Sequence, residues 1–239
     1  MTSPHVWARV AGLLYMLNIA LSVFALMTMS GLFVANDAAQ TAENIKAAEP
    51  MFRAAVVAVL LANVAYIAVI AILLEVMKPA GQVLSTIAAF VGLAGCAVGG
   101  ATGLGQITAL HYLGDAAYLA AFNQDQLQTL ARLTLREAGA GNTVALLFFG
   151  FYCLLLSSLT FRARFLPRWL GVPLMLAGVG WLVGVITSLL FPSVSIASQL
   201  LPVSGLGEAL FTLWILIMGV NAERWRVQAL EAATRAGVD

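Results

Sequence analysis

Six long apolar runs separated by polar breaks organise the chain, and only the middle break is long. The runs cover 7–34, 52–76, 83–109, 142–161, 169–191 and 203–221, and a polar insert from Leu110 to Asn142 separates the third from the fourth. Each run approaches the ~20 residues that carry a helix across ~30 Å of hydrocarbon. An open strand in lipid would leave its backbone groups unsatisfied, so helices are predicted throughout. Turn-forming residues punctuate the pattern: Glu49-Pro50, Lys78-Pro79-Ala80-Gly81, Pro167, and Pro192 with Pro202 around the last connection. The expected fold class is therefore all-α, a polytopic membrane protein. A six-transmembrane-helix bundle fills 1–222 with a short helical cap on its outer face at about 110–141, and a cytoplasmic tail helix follows at 223–239. The first run is too long for a signal-peptide core of about 7–15 residues and reads as a retained anchor.

Composition sharpens this. The chain of 239 residues is 62% hydrophobic and 10% charged, far from the globular norm of about 45–50% apolar and 25% charged. A net charge of +1 with no basic run excludes an electrostatic surface for nucleic acid. Cys96 and Cys153 sit inside apolar runs as small buried hydrophobes, and no Cys/His spacing suggests a metal.

Basic residues set the expected orientation. With six spans the termini share a side, and that side collects Arg9, Lys78, Arg162, Arg164, Arg168, Arg224, Arg226 and Arg235, against Lys46, Arg53, Arg132 and Arg136 on the other. The positive-inside bias then places both termini in the cytoplasm of a cell with the protein in its plasma or inner membrane. Trp7, Trp169 and Trp225, each within two residues of an arginine, fit as interfacial anchors on that side.

Local chemistry predicts the smaller pieces. Asp37 is placed to cap a short helix in the first outer connection. Asn123 and Gln126 have capping-box spacing, with Gly139 and Gly141 ending that helix before the fourth span and an earlier short helix from Tyr112 to Phe122. Gly95, Gly99 and Gly103 repeat the four-residue spacing of close helix packing, and Gly178, Gly180 and Gly184 echo it more weakly. The tail after Asn221 is helical by propensity, with Glu231 and Arg235 spaced as an i,i+4 pair. Arg9-Val-Ala-Gly-Leu-Leu-Tyr-Met-Leu and Arg168-Trp-Leu-Gly-Val-Pro-Leu-Met-Leu echo one another at the starts of the first and fifth spans.

Taken in order, several phrases resemble the bacterial membrane family known as domain of unknown function 4386. They are Arg9-x-Ala-Gly-Leu-Leu-Tyr, Asp37-Ala-Ala with Thr41-Ala-x-Asn-Ile, Tyr118-Leu-Ala-Ala-Phe followed by Asp125-Gln-Leu-Gln, Phe165-Leu-Pro-Arg-x-Leu-Gly, Gly207-Glu-Ala-Leu, and Gly219-Val-Asn with Arg224-Trp. The resemblance covers about residues 9 to 225. It implies a membrane bundle and carries over no catalytic role. Relatives often place a histidine just before the fourth span, where this chain has Arg136-Glu-Ala-Gly, and that departure counts against shared histidine chemistry.

Polar groups at membrane depth need partners or water. Asn18 and Asn63 are each expected near the midplane, bonded to one another or to a third helix. Glu208, six residues past Pro202, is expected roughly 9 Å inside the sixth span, where a carboxylate must be paired, hydrated or protonated. Gln106, His111, Glu137 and Asn142 approach the same level, with Arg136 or Arg132 as counter-charge. Together they suggest an outward-opening pocket floored by Glu208; the competing reading is that Glu208 only ties helix ends together. His111 and Asp115 have metal-pair spacing but no further histidine nearby, and no serine elbow or catalytic set is present.

Three functions compete. One is a non-enzymatic protein that binds or moves a small apolar or amphiphilic molecule, lipid included. Another is a membrane-embedded lipid-modifying enzyme using Glu208 or Glu137 as acid or base, with Arg132 or Arg136 on a head group. The last is a structural or regulatory partner. The bilayer itself is the one partner composition requires, and no cofactor is expected.

Overall fold

The computed structural model describes residues 3–191 and 197–236. The Pro192 turn lies outside the described residues, as does the Arg235 side chain with its expected pairing to Glu231. Eight α-helices and no strand occur among the described residues: α1 Pro4–Leu32, α2 Ala38–Ala47, α3 Glu49–Met77, α4 Gln82–Tyr112, α5 Gln124–Arg162, α6 Gly171–Leu190, α7 Ala197–Ile217 and α8 Ala222–Ala236. Six of them, α1 and α3 to α7, are long and apolar enough to cross a membrane. Many of their large apolar side chains point outward, including Leu13, Met27, Val64, Phe90, Leu104 and Leu206. Such an exterior suits lipid and not water.

The helix starts follow the predicted chemistry. Asp37 caps α2 by accepting from the Gln40 N–H at 2.8 Å. At the start of α5, Gln126 N–H donates to Asn123 Oδ1 (2.9 Å) while Asn123 N–H donates to Gln126 Oε1 (3.0 Å), a reciprocal cap.

Three expectations need correction. Gly139 and Gly141 do not end a helix; α5 runs unbroken for 39 residues, about 58 Å at 1.5 Å per residue. Each glycine costs only about 1 kcal/mol against alanine in a helix, and buried Ala131, Ala138 and Ala145 anchor the segment on both sides of them. The Tyr112–Phe122 piece is a single 3-10 turn, Ala117–Ala121, with Tyr112 closing α4. Pro202 lies inside α7 instead of before it. Spanning helices tolerate such a proline because only the carbonyl four residues earlier loses its donor.

By packing, the chain forms two compact units: Met1–Leu17 with Ala65–Cys96 and Ala145–Asp239, and Asn18–Val64 with Ala97–Val144. In the first, Tyr15, Ile70, Leu73, Tyr152, Leu156 and Phe211 are fully buried. Here α6 and α7 pack antiparallel, Gly207 against the Pro173 carbonyl and Gly180 against Ser204, while Gly12 of α1 lies on the Leu216 backbone. Any Cβ at Gly12 would sit 2.6 Å from that backbone, so α1 and α7 touch main chain to main chain. In the second unit, Ala25, Met29, Ile45, Phe52, Ala55 and Leu113 belong to one apolar core.

The tail helix α8 is tied to the first unit by polar bonds. Trp225 Nε1 donates to the Val76 carbonyl (2.8 Å), and Gln228 Nε2 donates to the carbonyls of Pro79 and Arg162. Gln228 Oε1 in turn accepts from the Arg164 N–H, and Arg164 pairs with Glu231 at 2.9 Å.

Candidate functional site

Glu208 occupies the middle of α7, eleven residues beyond Ala197, or about 16 Å along the helix axis. It is therefore deeper than its distance from Pro202 suggests. Neighbours come from three other helices of the same unit. The Tyr15 hydroxyl of α1 donates to Oε2 at 2.5 Å, and the Trp181 indole N–H of α6 donates to Oε1 at 2.5 Å. The buried Cys153 thiol of α5 lies near the same carboxylate. Behind Tyr15, the Tyr66 hydroxyl of α3 shares a 3.2 Å hydrogen bond with it. The Tyr66 ring meets Tyr15, Phe149 and Tyr152 at centroid distances of 5.1, 5.2 and 6.0 Å.

The helix period explains the arrangement. Ser204, Glu208 and Thr212 fall four residues apart, so one face of α7 is a polar stripe turned inward. Ser204 and Thr212 are fully buried, and neither hydroxyl has a partner among the described residues. The Tyr152 hydroxyl is likewise buried and without a partner among the described residues, and the Tyr152 side chain helps line a cavity of about 10 Å³ with Ile70, Leu73, Ser85 and Leu159, room for about one water. Glu208 itself keeps partial exposure. Among the described residues no Arg, Lys or His makes an ion pair with it. Its hydrogen-bond donors are all neutral.

The other candidate residues belong to the second unit. Gln106 is buried, with Nε2 3.4 Å from the Met29 sulfur and Oε1 unpartnered. His111, Arg136, Glu137 and Asn142 are exposed, and no side-chain hydrogen bond or ion pair joins any of them to another described residue. Arg132 is committed elsewhere: its Nη1 donates to the carbonyls of Val34 (2.8 Å) and Asp37 (3.1 Å) and lies 3.4 Å from Thr41 Oγ1. It fastens the start of α2. Asn18 Nδ2 reaches the Ala62 carbonyl (2.9 Å), and Asn63 Nδ2 bonds the Val59 carbonyl of its own helix (2.9 Å). Each amide thus settles on a backbone carbonyl, and the two do not meet. No cluster of three potential metal ligands exists among the described residues.

Sequence reading missed Tyr15, Tyr66, Cys153 and Trp181. A signal was there in Trp181, which stands mid-span and not in an interfacial belt. A buried indole N–H usually finds an acceptor, though that of Trp214 has none among the described residues, and Glu208 is the one acidic side chain in the apolar runs from 142 onward.

Spanning helices wrapped around a hydrogen-bonded carboxylate define a polytopic α-helical membrane protein with an intramembrane acidic centre. The chain belongs to the family described as Domain of unknown function (DUF4386), whose model matches residues 10–219. No curated protein and no solved structure matches it.

Proposed function

We propose that the protein is a multi-pass protein of the bacterial inner membrane, with both termini cytoplasmic, that binds a small amphiphilic molecule carrying a positive charge beside Glu208. One observation carries this reading: the Glu208 carboxylate, at mid-helix, is held by neutral donors and has no cationic partner among the described residues. Charge at membrane depth is costly unless balanced. A proton or a bound cation supplies that balance, and the two compete for the same oxygens. The eight-to-four division of basic residues supports the orientation.

Equilibrium binding of radiolabelled tetraphenylphosphonium to the purified protein in neutral detergent tests it. Affinity is expected to fall at least tenfold in Glu208→Gln. Equal retention by both proteins overturns the reading.

A second reading, Glu208 as a tether, has its own support. Both oxygens already accept a donor at 2.5 Å, and the cavity beside Tyr152 is only about 10 Å³. On that reading Glu208→Gln lowers melting temperature and leaves the cation uptake of the folded fraction unchanged.

A further inference from the structure

A cleft of about 260 Å³ opens between α8 and the ends of the spans it binds, lined by Pro79, Ala80, Arg162, Arg164, Gln228 and Glu231. Its walls are fixed by Gln228, which bonds the carbonyls of Pro79 and Arg162 and the N–H of Arg164. That uses both N–H groups of the amide and one acceptor site of its oxygen. The charges are not balanced. Arg164 spends Nη1 on both oxygens of Glu231, at 3.0 and 2.9 Å, and among the described residues no acceptor takes its other guanidinium N–H groups. Arg162 has no acidic partner and its guanidinium makes no hydrogen bond to a described residue. Among the described lining groups, two guanidiniums face one carboxylate, an excess of one positive charge.

Arg162 is also the last residue of α5, where an apolar span gives way to polar chain. At that level hydrocarbon meets head groups, and Trp225 of α8, bonded to Val76, stands there as an amphipathic anchor would. Guanidinium groups match the oxygens of phosphate in a planar fork, and basic pockets at helix ends are a recognised way of holding acidic lipid heads.

We propose that the Arg162–Arg164 cleft is a binding site for a singly charged phosphate group, as in the phosphodiester head of an acidic phospholipid. It is independent of the Glu208 reading. Glu231 makes the site selective for one charge over two, because a dianion would be repelled by the carboxylate that the cleft retains.

The test is thermal unfolding of the full-length protein in neutral detergent with added phosphatidylglycerol, phosphatidylcholine, or glycerol phosphate. Phosphatidylglycerol is expected to raise the melting temperature by several degrees and phosphatidylcholine not to. Arg162→Gln should abolish the rise, Arg162→Lys should keep part of it, and Arg226→Gln, an exposed arginine outside the cleft, should keep all of it. Glycerol phosphate, a phosphomonoester mostly doubly charged at neutral pH, is expected to give no rise, and a rise that it produces and that Arg162→Gln abolishes overturns the preference for a single charge. An equal rise in wild type and Arg162→Gln, or equal loss in Arg162→Gln and Arg226→Gln, overturns the site.

Discussion

At the scale of single residues, the Glu208 carboxylate turns the Tyr15 hydroxyl and the Trp181 indole into structural groups. Tyr15→Phe removes one hydrogen bond to the Glu208 carboxyl, which costs about 1 kcal/mol, and the melting temperature of the detergent-solubilised protein is expected to fall by a few degrees. Glu208→Leu is expected to be worse than either donor mutation, because it leaves the Trp181 N–H without its acceptor and the Tyr15 hydroxyl with Tyr66 alone; a milder effect than Tyr15→Phe would show the donors find other acceptors. The acid was legible in the sequence as an ionisable group inside an apolar run, whereas its partners were not. Tyrosine and tryptophan are ordinary residues of membrane interfaces, and only helix packing reveals that Tyr15, Tyr66 and Trp181 converge from separate helices. Asn18 shows the same limit: its need for a partner was readable, but a backbone carbonyl, present at every position, leaves no sequence mark.

Between elements, close approach and local fastening decide the geometry. Gly12 lets α1 lie on the Leu216 backbone, and Gly12→Leu is expected to cost about 3 kcal/mol through overpacking, read as loss of the monodisperse protein peak after extraction. Arg132 plays the complementary role by holding the α2 entry through three oxygens. In Arg132→Ala, amide hydrogen exchange across 38–47 should quicken roughly tenfold while α6 and α7 are unaffected, a local opening worth about 1.4 kcal/mol. Unchanged exchange in that segment would mean α2 is held by its buried Thr41, Ala42 and Ile45 alone. Span number and helix caps were legible because hydropathy and capping act over a few neighbouring residues. The continuity of α5 through Gly139 and Gly141 was not, since it depends on tertiary packing that outweighs a small local penalty, and the same holds for Pro202 inside α7.

For the molecule as a whole, the six spanning helices and the distribution of arginines fix an expected topology. Single cysteines placed at Asp37 or Asp125 should react with an impermeant maleimide in intact cells, and one at Arg226 only after permeabilisation. Cys96 and Cys153 are buried and should stay silent. Reaction of Asp37→Cys and Asp125→Cys from opposite sides would rule the layout out. The tail helix adds a practical point. The Gln228 amide and the Trp225 indole answer main-chain atoms at Val76, Pro79, Arg162 and Arg164. A gene shortened by a stop codon after Asn221 would deprive those four positions of their partners, so trimming this helix to aid crystallisation is expected to reduce the yield of intact material.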